Sequence, residues 1–491
     1  MKSPFVLAIL SLALMLGQRA SMATAQKMVF AHYLIYAPDS IDTYKREISL
    51  AQSKGIDAFA LNTNVYRKNL FDNIYEAARQ VGSSFKLFFS ADIHVDGNGR
   101  LSPANIVSML ADYRTHPNQL FYNNKALFTS WLGNNNDYWS FYGYANSKAA
   151  WDDIFSQAGG KSLYFFIPFF PTDGSYYGVK GIVYDTFGST VDGYFGWESS
   201  AWNYLGGNFD TPGTTPGDAS SLTVSNDLGK TYMAAAAPWF FKNLGGTSGT
   251  ICCVANSPSC NPAAGRDANS ECPCHVKGNY QGPGLWVQHW GQIIANPPPL
   301  VEIVSWNDWI EGHYIAPGYS SGAAASSAYV DVAGFPHQAY LELGQHYIQW
   351  YKTGSEPIAT KDSVYLFYYT MPKSTSIPGV CGILHADKLS DVLYGAVILS
   401  PGPSATVTLH SGGSTHTQTV TQGVSVIGMG FSTGTQSLTF TRGSTTFTLT
   451  GAKPIINSGM PNLLMANLLL QATASWMPRA RCPDAEMSPG E

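Results

Sequence analysis

Short apolar runs alternate with longer amphipathic stretches between Lys27 and about Gly354. Several of the runs are apolar at every position, which is typical of parallel strands that are buried on both faces. The pattern predicts eight strands, at residues 28–34, 58–64, 86–93, 125–131, 163–169, 191–197, 231–239 and 301–306.

Helical spacing of apolar residues separates these strands. In residues 40–54, Ile41, Tyr44 and Ile48 share one face, and Gly55 follows as a helix-ending residue. The same spacing predicts helices at residues 70–81, 103–116, 151–157, 286–295 and 338–352. Alternating strands and helices predict a (β/α)8 barrel over residues 26–355. An open, doubly wound sheet is the alternative, but no Gly-x-Gly-x-x-Gly follows the first strand, which counts against a dinucleotide fold.

The pattern changes near Lys361, where short alternating runs are separated by Gly, Ser and Pro turns. This change predicts an antiparallel β-sandwich over residues 361–456. Its predicted strands are residues 364–370, 396–400, 406–410, 418–421, 424–429, 437–441 and 445–450. Residues 457–491 join an apolar stretch to a polar, turn-rich end, and we expect this tail to be poorly ordered.

Residues 1–25 have the features of a secretory signal peptide. Lys2 gives a basic start, residues 5–16 are almost continuously apolar, and Ala23-Thr24-Ala25 is a small-x-small cleavage site. The apolar run is too short to cross a membrane, which argues against the alternative of an N-terminal anchor helix. We therefore expect a secreted, extracellular protein.

Composition narrows the classes of partner. Charged residues make up 12% of the chain, aromatic residues make up 13%, and the formal net charge is −5. Nucleic acid is excluded as a partner because no basic stretch is present to neutralise phosphates. Many aromatic side chains and few charges suit a protein that stacks rings against neutral sugars, although a secreted protein with a large core has the same composition. We expect a monomer with no membrane partner.

Five of the seven cysteines lie in an insertion at residues 250–275. They are Cys252, Cys253, Cys260, Cys272 and Cys274. Clustered cysteines of this kind form either disulfides or a zinc site. Behind a secretory signal, disulfides are the expected outcome, with a pairing that the sequence does not reveal.

The richest chemistry follows the last predicted barrel strand. There the apolar run ends in Trp306-Asn307-Asp308-Trp309-Ile310-Glu311, which places two acids three residues apart. Cleavage of a sugar–sugar bond needs two carboxyl groups as acid and base, and aromatic rings beside them can bind sugar. The alternative is that Asp308 and Glu311 only cap the turn that follows the strand.

Other polar and aromatic residues lie where predicted strands end, the edge at which barrel enzymes carry their active sites. Asp92 is a third candidate catalytic acid, although it could equally cap a turn. The candidate substrate-binding residues are His32, Tyr33, Asn62, Trp131, Trp197, Glu198, Trp239, Trp306, Asn307, Trp309 and His313. Taken singly, a tryptophan at a strand end is more often core or rim than a sugar platform.

Several of these segments, in order, resemble glycoside hydrolase family 71, the fungal endo-α-1,3-glucanases or mutanases. The segments that carry the resemblance are residues 27–33, 55–62, 86–92, 191–195, 238–240 and 301–315. The resemblance implies a (β/α)8 barrel with an accessory β-sandwich, and hydrolysis of α-1,3-glucan with inversion at the anomeric carbon. It also implies that Asp308 and Glu311 carry the chemistry and that Asp92 belongs to the active site.

We assign Asp308 as the general base and Glu311 as the general acid, with Asp92 holding the water or the sugar. This chemistry requires neither a metal nor an organic cofactor. Two other functions remain open. One is a glycosidase of the same fold that cuts another α-linked glycan, and the other is a secreted wall-binding protein without activity.

Overall fold

Eight parallel strands and one short antiparallel strand, Phe121–Tyr122, form one curled sheet. The computed structural model describes residues 27–35, 39–82, 84–93, 101–197, 216–238, 241–242, 275–276, 283–309, 311–317, 335–374, 391–457 and 471–472. The strands are β1 Met28–Leu34, β2 Ala58–Thr63, β3 Lys86–Asp92, β4 Lys125–Trp131, β5 Tyr164–Phe166, β6 Gly193–Gly196, β7 Thr231–Ala236 and β8 Leu300–Ile303. Their order in the sheet is β5-β4-β3-β2-β1-β8-β7-β6, so chain neighbours are sheet neighbours.

Several sequence predictions fall outside the described residues. They concern the signal peptide, the five clustered cysteines, Glu198, Trp239 and all but three residues of the tail.

The two ends of the sheet are joined through the backbone. The Asp192 N–H donates to the Phe166 carbonyl at 2.8 Å, and the Phe195 N–H donates to the Pro168 carbonyl at 2.9 Å. These bonds link β5 to β6, which are the first and last strands of the sheet order.

Helices follow most of the strands. They are α1 Ile41–Ser53, α2 Lys68–Val81, α3 Pro103–Tyr113, α4 Asn136–Ser140, α5 Ser147–Gln157, α6 Tyr176–Val179, α7 Pro216–Asp227, α8 Pro283–Ala295 and α9 Gln338–Thr353. Ser40 caps α1 by accepting the Thr43 N–H at 3.1 Å. Gly354 ends α9 in the left-handed region, at φ 77°, where a side chain would be strained. The sequence pattern did not predict α4, α6 or α7, since they are short or carry few apolar residues.

Alternate residues of each strand point to opposite faces of the sheet. One face packs against the helices, while the other is turned inward and holds a separate apolar cluster. The inward cluster includes Phe30, Ala60, Phe88, Leu127, Phe195, Met233, Leu300 and Val304. The inward face therefore has a closely packed apolar floor.

The C-terminal strands form two antiparallel sheets. The strands are β9 Ser363–Phe367, β10 Val392–Leu399, β11 Ala405–Ser411, β12 Ser414–Val420, β13 Gly423–Gly430, β14 Gln436–Arg442 and β15 Thr445–Thr450. One sheet has the order β13-β10-β9 with residues 471–472 at its edge, and the other has the order β12-β11-β14-β15. A buried apolar cluster contains residues of both sheets, including Leu366, Val397, Leu409 and Phe440.

The sheet that contains β9 also packs against helix α9. The ring of Tyr340 on α9 lies 5.1 Å from the ring of Phe367 on β9. Tyr365 and Tyr394 join the same buried cluster as α9. Within the described ranges, no helix is long and apolar enough to cross a membrane.

Candidate active site

Backbone hydrogen bonds hold the loop that follows β8 to itself and to β1. The Ser305 N–H donates to the His313 carbonyl at 3.0 Å, and the Ile315 N–H returns to the Ser305 carbonyl at 3.1 Å. The Trp306 N–H donates to the His32 carbonyl at 2.7 Å. These bonds hold both ends of the segment that carries the candidate acids.

Asn307 adds a second tie to β1. Its Oδ1 accepts the Leu34 N–H at 2.7 Å, and its Nδ2 donates to the Leu34 carbonyl at 3.0 Å. Because Asn307 is almost fully buried, its amide is used to hold the loop. Asn307 therefore holds the loop, and the sugar contact that the sequence suggested for it stays a prediction.

The two candidate acids are partly exposed, and the Asp308 side chain is hydrogen-bonded to the Glu311 backbone. The Asp308 N–H donates to Ser305 Oγ at 2.9 Å, and Asp308 Oδ1 accepts the Glu311 N–H at 3.0 Å. Asp308 therefore caps the turn, as the sequence alternative proposed. Capping uses Asp308 Oδ1 and does not by itself exclude a catalytic role for Asp308.

His313 links Glu311 to the buried Ser305. Its Nε2 lies 3.0 Å from Glu311 Oε2, and its Nδ1 lies 2.9 Å from Ser305 Oγ. When Glu311 is ionised it can only accept, so His313 Nε2 carries the proton and the Ser305 hydroxyl donates to Nδ1. When Glu311 is protonated it can donate to Nε2, and the other bond reverses. The histidine can thus adapt to either protonation state of Glu311.

Tryptophan rings cover the inward face beside this loop. The Trp197 ring lies 4.9 Å from the His32 ring, 6.2 Å from the Trp131 ring and 6.5 Å from the His313 ring. Asp92 pairs in register with Trp131 at the ends of β3 and β4. His32, Asn62, Asp92, Trp131 and Trp197 therefore belong to the same inward edge of the sheet, with His313 next to it.

Three other predicted sugar contacts lie in the packed core. Tyr33 is on the helix-facing side of β1, where its hydroxyl donates to Glu47 at 2.5 Å. Trp306 is fully buried against Phe59, with ring centroids 5.1 Å apart. Trp309 is 6% exposed and packs on Tyr314. We correct the substrate-binding assignment of these three residues, because their rings belong to the apolar cluster on the helix-facing side of the sheet.

Among the described residues, Asp308, Glu311 and His313 form a cluster of groups that could bind a cation. One oxygen of Asp308, one oxygen of Glu311 and one ring nitrogen of His313 all lie within 4.8 Å of one another. Both His313 nitrogens are already within hydrogen-bond distance of other side chains. Hydrogen bonding therefore accounts for the proximity of these groups without a metal.

Glu302 and Ser90 are inward-facing polar residues that the sequence reasoning missed. Glu302 is fully buried on β8, and its Oε1 lies 2.7 Å from His32 Nδ1. Burial raises the pKa of the Glu302 carboxyl, and the hydrogen bond from His32 works in the opposite direction. The available signal was an acid inside the otherwise apolar run at residues 300–304.

The sequence model of glycosyl hydrolase family 71 matches residues 25–253 and 271–475, most of the chain. This chain belongs to glycosyl hydrolase family 71. The family resemblance predicted from the sequence is thereby confirmed, and the protein is a glycoside hydrolase.

Curated relatives of this family 71 chain match over most of their length. It is 27% identical over 425 residues to the glucan endo-1,3-alpha-glucosidase agn1 of Schizosaccharomyces pombe, covering 85% of this chain and 88% of the relative. It is 29% identical over 406 residues to the mutanase Pc12g07500 of Penicillium rubens, covering 81% of this chain and 78% of the relative. Among solved structures, the GH99 endo-alpha-mannosidase of Bacteroides thetaiotaomicron aligns with a TM-score of 0.42 and 14% identity, over 67% of this chain and 99% of that chain.

Proposed function

We propose that this family 71 enzyme hydrolyses α-1,3-glucosidic bonds in α-1,3-glucan, with inversion, through Asp308 and Glu311. The observation that carries the proposal is the pair of partly exposed acids on a fastened loop, beside inward-facing tryptophans. The choice of α-1,3-glucan rests on the names of the two curated relatives. The polysaccharide is the expected partner of a secreted monomer.

The proposed scaffold is a closed (β/α)8 barrel over residues 26–355 with a β-sandwich over residues 361–456. The sequential strand order and the two backbone bonds between β5 and β6 support closure. The shared apolar cluster of the two antiparallel sheets supports the sandwich. In this scaffold the β8 loop lies at the carboxyl ends of the parallel strands, where barrel enzymes carry their chemistry.

In the proposed reaction, Glu311 gives its proton to the glycosidic oxygen as the bond from that oxygen to the anomeric carbon breaks. Asp308 takes a proton from water while the water oxygen forms a bond to the same carbon from the opposite face. Asp308 then releases its proton to solvent, and Glu311 regains one. Asp92, beside Trp131, is assigned to hold the water or a sugar hydroxyl.

The spacing of the acids sets a condition on inversion. Inverting enzymes separate their carboxyl groups by about 6.5–9.5 Å, whereas retaining enzymes separate them by about 5–5.5 Å. Here an oxygen of Asp308 and an oxygen of Glu311 lie within 4.8 Å. Inversion therefore requires the two carboxyl groups to stand about 6.5–9.5 Å apart in the complex, a separation that a turn of the Glu311 side chain, which is 22% exposed, away from His313 would provide. Catalytic contacts commonly rearrange in this way on going from the free enzyme to the complex.

A panel of polysaccharides tests the substrate. We expect the enzyme to release reducing sugar from insoluble α-1,3-glucan at least about tenfold faster than from dextran, starch or α-mannan, because one misplaced hydroxyl contact is worth that factor or more. Faster release from another polymer would reassign the substrate within α-linked glycans. Binding to α-1,3-glucan without release of sugar from any polymer would indicate a wall-binding protein.

A further inference from the structure

The inward face of four neighbouring strands carries a set of buried polar side chains directly above the apolar floor. They are His32 on β1, Asn62 on β2, Ser90 on β3 and Glu302 on β8. Asn62 Oδ1, Ser90 Oγ and Glu302 Oε2 have no hydrogen-bond partner among the described residues. Buried polar atoms normally have partners, so three unpartnered atoms on the inward face of neighbouring strands indicate a polar ligand.

Among these four residues, Glu302 costs the most free energy to bury. A fully buried carboxyl loses its hydration, and the close partner of Glu302 among the described residues is His32 Nδ1 at 2.7 Å. Replacing a buried ion pair with neutral groups of similar shape is often neutral or stabilising. A residue that the fold does not need for stability, and that faces the active side of the sheet, is a candidate for function.

The contacts of His32 connect this pair to the acid loop. The His32 ring packs edge-on against Trp197, and Trp197 in turn approaches the His313 ring. The His32 carbonyl accepts the Trp306 N–H, so the histidine is also fixed through its backbone. With Nδ1 held by Glu302, Nε2 is the ring nitrogen left for a ligand.

We propose that Glu302 is a positioning residue that fixes His32 so that His32 Nε2 accepts a hydrogen bond from a hydroxyl of the sugar being cleaved. An ionised Glu302 accepts the Nδ1 proton, which leaves a lone pair on Nε2. Asn62 and Ser90 offer further polar atoms to the same sugar ring. The inference rests on the proposed hydrolase function and extends it by assigning a role to Glu302.

Glu302→Gln tests the proposal, because the amide keeps the size of the side chain and removes its charge. We expect kcat to fall about 10- to 100-fold with KM within about threefold, since a misplaced contact acts mainly on the transition state. The melting temperature should stay equal or rise. His32→Ala should lower kcat at least as far, and the double variant should be no slower than His32→Ala alone, because Glu302 acts through His32.

Asp218→Asn is the matched control. Asp218 Oδ2 lies 2.7 Å from Nε2 of the buried His289, a pair with the same chemistry on helices α7 and α8. We expect this variant to keep kcat within about twofold, the scatter of unrelated surface and packing changes. If Glu302→Gln does not fold, Glu302→Asp replaces it, with the same expected fall in kcat because the shorter side chain does not reach His32.

The outcomes separate this inference from the proposed function. A wild-type enzyme that cleaves α-1,3-glucan, together with a folded Glu302→Gln variant of unchanged kcat, would overturn the role of Glu302 alone. A lowered melting temperature with normal kcat would make the pair merely structural and would also overturn it. If wild-type enzyme prefers another α-glucan, the same variants are compared on that polymer.

Discussion

Replacing Asp308 by Asn, or Glu311 by Gln, is expected to lower kcat on α-1,3-glucan at least about a hundredfold, the usual scale for a lost general acid or base. Each amide has nearly the shape of its acid but cannot take or give the required proton. In Asp308→Asn the amide oxygen would still be offered to the Glu311 N–H, and in Glu311→Gln the amide would still reach His313. Both variants should therefore fold normally.

The test is initial-rate kinetics on insoluble α-1,3-glucan, with circular dichroism to verify folding. Asp42→Asn is the control, because Asp42 is an exposed acid on α1 whose partner is Lys45. It should leave the rate within about twofold, as most surface changes do. Normal rates in a correctly folded Asp308→Asn or Glu311→Gln variant would remove that residue from the mechanism.

Glu47→Gln is expected to stabilise the protein increasingly as the pH rises from 4.5 to about 8. Burial on α1 raises the pKa of the Glu47 carboxyl from its ordinary value of 4.5 to about 8, although the Tyr33 hydroxyl donates to it. Below pH 4.5 the group is protonated in both the folded and the unfolded protein and adds no pH dependence. Above it the unfolded chain releases the proton first, so stability is lost until the folded-state pKa is passed.

The expected gain at pH 8 is on the order of 3–5 kcal/mol in the free energy of unfolding. Denaturant unfolding of wild type and Glu47→Gln at pH 4.5, 6 and 8 measures it. Glu76→Gln is the control, because the Arg79 side chain lowers the pKa of the exposed Glu76 to about 2. The folded-state titration of Glu76 lies below this window, so its difference from wild type should change little between pH 4.5 and 8. A constant difference for Glu47→Gln as well would contradict the assignment.

The sequence was a good guide to strands and to the acid loop because both are local signals. The runs that predicted β1 to β8 are short, apolar and separated by helical spacing, and each overlaps the observed strand. The segment after β8 stood out because acids rarely end a buried strand. The predicted strand at residues 231–239 is longer than β7, which ends at Ala236.

The face on which a side chain lies was harder to predict. His32 and Tyr33 are adjacent, so one points inward and the other points toward α1. Strands that are apolar on both faces give no alternation from which to choose the face. For the same reason, Glu302 was hidden in an apolar run, and Trp306 was predicted at a cleft although it lies in the core.

Proton NMR of the first product released from a soluble α-1,3-linked oligosaccharide shows whether this enzyme inverts the anomeric carbon. One time course reports whether the bond is cut and on which face the water attacks. With inversion, the β-anomer appears first and the α-anomer follows by slow exchange. First appearance of the α-anomer would contradict inversion and would indicate retention, for which the two carboxyl groups act about 5–5.5 Å apart.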